Sequence, residues 1–162
     1  MNTGRINAIL KNDEYRKNAE LTRELEKDRI YCRHGVDHCL DVARIAALIA
    51  ADEDYDVSRE LIYAAAILHD IGRAEQYARG VRHELAGAEI AGPILTECGF
   101  TEEERQEITE AIASHGDESV KDKKNLSGLI YRADKMSRRC FDCDAAGSCH
   151  KSAEKLIMEI CY

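Results

Sequence analysis

Residues 61–68, Leu-Ile-Tyr-Ala-Ala-Ala-Ile-Leu, carry no charge, and the next two positions are His69 and Asp70. No other stretch constrains the fold as tightly. An apolar run with alanines at its centre reads as a helix buried on nearly every side. At its end an imidazole and a carboxylate stand together in apolar surroundings. Such neighbours are costly there unless they are paired, hydrogen-bonded or bound to metal. Gly72 follows, and its missing Cβ is expected to let the backbone turn away.

The rest of the chain supplies partners for that helix. One proline and ten glycines among 162 residues, with abundant Ala, Leu, Glu and Lys, favour helices. No convincing strand, repeat or low-complexity tract is present. Residues 5–28 read as one or two surface helices, with Ile6, Ile9, Leu10, Tyr15, Leu21 and Leu25 at helical intervals and a break near Asn12. His38, Val42, Ile45 and Ile49 share one helical face, and His34 lies one turn before them. Ser58 is the expected N-cap of the apolar helix. After a polar connection, Ala74–Gly80, a helix from about Arg82 aligns His83, Gly87, Ile90 and Ile94, with a kink expected at Gly92-Pro93. Gly99 is a C-cap glycine, and Thr101 with Glu104 has capping-box spacing. The helix that follows carries Ile108, Ala111, Ile112 and His115, and the last one carries Leu126, Ile130 and Asp134. The expectation is an all-α bundle of about six to seven helices with no significant sheet. It forms one domain over 1–162, with its core at 30–139, a helical extension at 1–29 and a cysteine-rich tail at 140–162.

A formal charge of -8 argues against a long nucleic-acid polymer as partner, since that requires clustered Lys and Arg. No apolar run reaches membrane length, and the segment from Met1 lacks the apolar region of a secretion signal. Seven cysteines, an odd number clustered late, read as reduced thiols of a cytoplasmic protein.

Five helices thus aim ionisable groups inward: His38, His69 with Asp70, His83, His115 and Asp134. Satisfying them separately would consume a domain's margin of ~5–15 kcal/mol. One cation centre removes that cost. Imidazole and carboxylate donors suit divalent transition metals, Fe or Mn foremost, with Co, Ni and Zn also compatible. Six donors exceed one tetrahedral zinc, whereas two metals sharing Asp70 use the whole set. A two-metal site can bind a bridging hydroxide and polarise a phosphoryl oxygen.

His38, the pair His69-Asp70 and Asp134 resemble the H…HD…D pattern of the HD-domain metal phosphohydrolases. The contexts Leu68-His-Asp-Ile-Gly72 and Ala133-Asp-Lys-Met-Ser137 are similar too, and His83 and His115 fall where the two-metal branch of that family has extra histidines. The resemblance covers about residues 30–139. It implies the HD helical bundle and metal-dependent hydrolysis of a phosphate ester or anhydride, with Asp70 as bridging, catalytic carboxylate. Ile71-Gly72-Arg73 replaces the acidic pair of the alarmone hydrolases, and the GYP signature of cyclic-di-GMP phosphodiesterases is missing. The same ligand set resembles that of HD-type di-iron oxygenases, and a regulatory module that binds without turnover is a third reading.

Around the ligands, Arg73, His34, Lys135 and Arg138 are candidate substrate contacts, each weighed against a bland role at a helix end or in solvent. Cys140, Cys143, Cys149 and Cys161 form a candidate second metal site, weighed against a reduced cap on the bundle. The expected partner is a small phosphorylated molecule or nucleotide, without nucleic-acid polymer or membrane, and a homodimer is compatible with the pattern.

Overall fold

In the computed structural model, which describes residues 3–162, the apolar run becomes a central helix whose Leu61, Ile62 and Ala64 to Leu68 are all buried. The helices in chain order are α1 (Gly4–Lys11), α2 (Asp13–Leu25), α3 (Val36–Asp52), α4 (Arg59–Leu68), α5 (Arg73–Arg79), α6 (His83–Glu97), α7 (Glu102–Ser114) and α8 (Leu126–Met136). Among the described residues there is no strand, and no helix is long and apolar enough to cross a membrane. Met1 and Asn2, which begin the expected N-terminal extension, lie outside the described residues.

Burial dictates the arrangement. α3 packs on α4 and α8, α7 packs on α4, α6 and α8, and α1 and α2 cover the opposite side through α4 and α5. The contact surface is built from Val42, Ala46, Ile49, Ile62, Ile108, Ile112, Leu129 and Ile130, all essentially inaccessible to water. Each of the valine, isoleucine and leucine side chains in this set contributes roughly 1.5–3 kcal/mol of apolar transfer, which is what holds polar groups in so dry an interior.

Helix ends follow the local sequence signals. The Asn12 side chain accepts from the amides of Glu14 and Tyr15, so the N-terminal segment does break into two helices there. Ser58 accepts from the Leu61 amide at 3.2 Å. Thr101 and Glu104 complete a reciprocal capping box, and Arg5 grips the same Glu104 together with Glu60. Thr101→Ala should cost about 1 kcal/mol, read as a shift of the urea midpoint without a change in slope.

Three features depart from the sequence reading. The Ala74–Gly80 connection is mostly helix: α5 is short, buries Ala74, and ends at Gly80 with φ +70°. Leu21 and Leu25 are about half exposed. The inward stripe of α2 is instead Tyr15, Asn18 and Thr22, leading to Glu26, a polar period that apolar patterning overlooks. Gly72 has an ordinary backbone, φ -82° and ψ 2°. Its necessity is spatial: a Cβ there would lie 2.3 Å from the His83 carbonyl oxygen and 2.5 Å from the Gly87 amide nitrogen. Only glycine lets α6 approach the turn that carries His69 and Asp70.

Candidate metal centre

Six side chains from five elements converge where α3, α4, α6, α7 and α8 meet. His38 projects from the first turn of α3. His69 caps α4 and Asp70 follows it. His83 opens α6, His115 caps α7, and Asp134 lies in the last turn of α8. Asp70 is central, and its two oxygens face different groups. Oδ2 lies 3.0 Å from His69 Nε2 and 3.4 Å from His38 Nε2. Oδ1 lies 3.3 Å from His83 Nε2 and 3.7 Å from His115 Nε2. Asp134 Oδ1 joins the first group, 3.4 Å from His38.

The orientation of the rings decides what fits between them. His69 Nδ1 donates to the Ala66 carbonyl and His115 Nδ1 to the Ile112 carbonyl, each at 2.7 Å. In the neutral ring this leaves the Nε2 lone pair aimed at the centre. His38 Nε2 then faces His69 Nε2 at 3.2 Å, and His83 Nε2 faces His115 Nε2 at 3.1 Å. Asp70 Oδ2 and His83 Nδ1 are buried without a hydrogen-bond partner. The Nε2 lone pairs of His69 and His115 and the two Asp70 oxygens thus converge on one centre, an arrangement that a cation satisfies.

A proton satisfies one half of this set. Burial drives the His69 pKa down, but the Asp70 carboxylate outweighs it and holds the ring well above its usual value. The other half resists protonation. Burial and then Arg73 push His83 down to about 3, and burial and then His69 push His115 to about 4. Burial opposes ionisation of Asp70, yet His69, His38 and Arg73 keep its pKa far below the normal carboxylate range. His83 and His115, held neutral beside an obligate carboxylate, are donors suited to divalent metal. Glu84 Oε2, 3.4 Å from His83 Nδ1, is placed to orient that ring.

A cavity of about 690 Å³ opens onto the cluster and is lined by His38, His83, His115 and Asp134. All four candidate substrate contacts line it as well. Arg73 Nε donates to Asp70 Oδ1 at 2.8 Å. Lys135 reaches Asp134 Oδ2 and the His115 carbonyl, and Arg138 lies 3.9 Å from Asp134 Oδ2. His34 is held by Glu26, whose carboxylate takes both its ring Nδ1–H at 2.5 Å and its amide at 2.7 Å.

The tail cysteines are not gathered in this way. Among the described residues, the groups of three or more potential ligand atoms are His38–His69–Asp134 and His69–Asp70–His115, and neither contains cysteine. A 3₁₀ turn over Cys140–Asp142 buries Cys140, while Cys143 and Cys149 are half-buried and Cys161 lies exposed at the far end of the tail. None of the seven is in a disulfide.

Glu26 is the functional neighbour that sequence reasoning missed. It is 3% exposed and also accepts from the Tyr77 hydroxyl at 2.6 Å. Burial alone would raise its pKa, but His34 and Tyr77 bring it down to about 2. A folded pKa below the unfolded one means that its stabilisation is complete above about pH 4.5 and is lost as pH falls toward 2. Glu26→Gln should therefore cost on the order of 2–3 kcal/mol at pH 7. The gap from wild type should close between about pH 4.5 and 2, as followed by denaturant melts across pH.

The family model described as HD domain matches residues 35–139, which span every one of the six converging side chains. The chain belongs to the HD domain family. An uncharacterized protein of Clostridium beijerinckii is 42% identical over 98% of this HD chain and 99% of its own length. A ribonuclease Y of Acetivibrio thermocellus is 33% identical over 81% of the chain, which spans only 24% of that longer protein. The crystal structure of a "predicted HD superfamily hydrolase" from an uncultured Thermotogales bacterium aligns with a TM-score of 0.57 and 31% identity, covering 75% of this chain and 66% of the other. At this level the chain belongs to the HD-domain hydrolase superfamily and has the all-α fold of that group.

Proposed function

We propose that this HD domain is a metal-dependent phosphohydrolase that cleaves a phosphate ester or anhydride of a small phosphorylated metabolite or nucleotide. The observation that carries the reading is the division of Asp70 between two histidine pairs. His38, His69, Asp70 and Asp134 would hold one divalent ion, and His83 and His115 with the other Asp70 oxygen a second. When bound, such ions make water a nucleophile near neutral pH and neutralise charge on phosphoryl oxygens.

The chain's own residues do the rest. Asp70, kept ionised by its surroundings, supplies negative charge to both halves of the site. The Nδ1–H bonds of His69 and His115 to main-chain carbonyls fix ring orientation before substrate arrives. Arg73, Lys135, Arg138 and His34 line the cavity and would bind and orient the phosphate oxygens. A cavity of about 690 Å³ suits a nucleotide-sized ligand. The net charge of -8 favours a small substrate over a polymer. The cytoplasmic reading rests on the cysteine pattern.

The test is phosphate release from a panel of nucleotides and sugar phosphates with added Mn, Fe, Co or Ni. Turnover that disappears in His69→Ala supports the reading. Full turnover in that variant, or O2-dependent loss of a non-phosphorylated substrate, would refute it.

A further inference from the structure

The tail beyond α8 carries a feature the metal centre does not use. Residues 148–151 are fastened to the loop before α3: the Tyr31 hydroxyl donates to the Ser148 carbonyl at 3.1 Å, and the Tyr31 and His150 rings meet edge-on at 5.7 Å. Phe141 donates its amide to the Ile157 carbonyl at 3.1 Å, tying the tail onto itself. This anchoring sets Lys151, half-buried, in the wall of the same cavity as the metal cluster.

Lys151 is a cation without a counter-charge. Among the described residues its ammonium has no ion-pair or hydrogen-bond partner. Its charged surroundings include Arg138 and Lys135, which share one carboxylate, Asp134. That carboxylate is already divided: Oδ1 faces His38, and Oδ2 faces Lys135 and Arg138. Arg29 and Arg33 line the same cavity with only neutral oxygens as partners. Exposed Asp37, Asp142 and Asp144 and half-buried Asp41 also line the cavity, none within ion-pair reach of Lys151, and Asp41 pairs with Arg44 and Arg139. Three cations of the cavity lining, Lys151, Arg29 and Arg33, thus have no ion-pair partner among the described residues. Burial and then Arg138 push the Lys151 pKa below the ordinary lysine value, the strain that a bound anion relieves.

We infer that Lys151, with Arg138 and Lys135, forms a second anion subsite beside the metal centre, which receives a phosphate of the substrate other than the one being cleaved. Resting on the phosphohydrolase reading, this narrows the substrate to molecules bearing at least two phosphoryl groups. The metal centre takes the scissile phosphoryl group, and the subsite takes its neighbour on the same molecule. It also gives the tail a role: it carries the selective cation to the cavity.

Calorimetric titration of the full chain with Mn2+, using orthophosphate and pyrophosphate as probes, tests the subsite. Wild type should prefer pyrophosphate, and Lys151→Gln should reduce that preference about tenfold, the effect of losing one charged contact. Lys151→Arg should retain most of it, which separates charge from folding, and both variants should melt with wild type. An undiminished preference in Lys151→Gln, or equal binding of the two probes by wild type, overturns the subsite. Orthophosphate binding that survives His69→Ala instead overturns the metal-centre reading on which it rests.

Discussion

Asp70→Ala should abolish binding of both metals, whereas His83→Ala should abolish only one. The difference follows from geometry: Asp70 presents one oxygen to His38 and His69 and the other to His83 and His115, whereas His83 faces only Oδ1. Metal content per chain, measured after extensive dialysis, should fall from about two to near zero in the first variant and to about one in the second. Phosphate release should drop by at least about 10³-fold in Asp70→Ala, because charge stabilisation and water activation are lost together. Asp70→Asn should fail nearly as completely, since it keeps the shape but removes the charge that the donor set requires. Equal metal content in Asp70→Ala and His83→Ala would contradict the shared role of Asp70.

Gly72→Ala should be strongly destabilising. Its new Cβ would meet the His83 carbonyl and the Gly87 amide, and both are backbone groups that cannot rotate away. Relief requires moving α6 off the turn after α4, which also withdraws His83 from Asp70. Overpacking of this kind costs about 1–3 kcal/mol and occasionally more, and the backbone contact places this site at the upper end. At ~2–4 °C per kcal/mol for a domain of this size, the melting temperature should drop by roughly 6–12 °C. Metal affinity on the His83 side should weaken in parallel. A variant that melts with wild type would show that α6 is free to shift.

Most of the site can be seen in the sequence because its residues obey a strict period. His38, His115 and Asp134 each continue an apolar stripe of their own helix, so a buried face predicts where they point. His69 and Asp70 are exposed as special by the apolar run that delivers them. What escapes the period is what depends on tertiary contact. Glu26 lies on a polar stripe, and its importance arises only when His34 folds back onto it. Gly72 looks like a turn residue, but its requirement comes from α6, eleven positions later at His83. The tail has no regular helix, so no periodic signal marks Lys151, and its thiols attract attention that their positions do not sustain. α5 is too short to declare itself against its polar neighbours.

Anomalous diffraction from crystals grown with Mn2+ tests the shared carboxylate most directly. Two peaks should flank Asp70, separated by ~3.5–4 Å as in two-metal hydrolytic sites, one beside His38, His69 and Asp134 and the other beside His83 and His115. A single peak on one side of Asp70, or ordered metal only among the tail cysteines, would contradict the account.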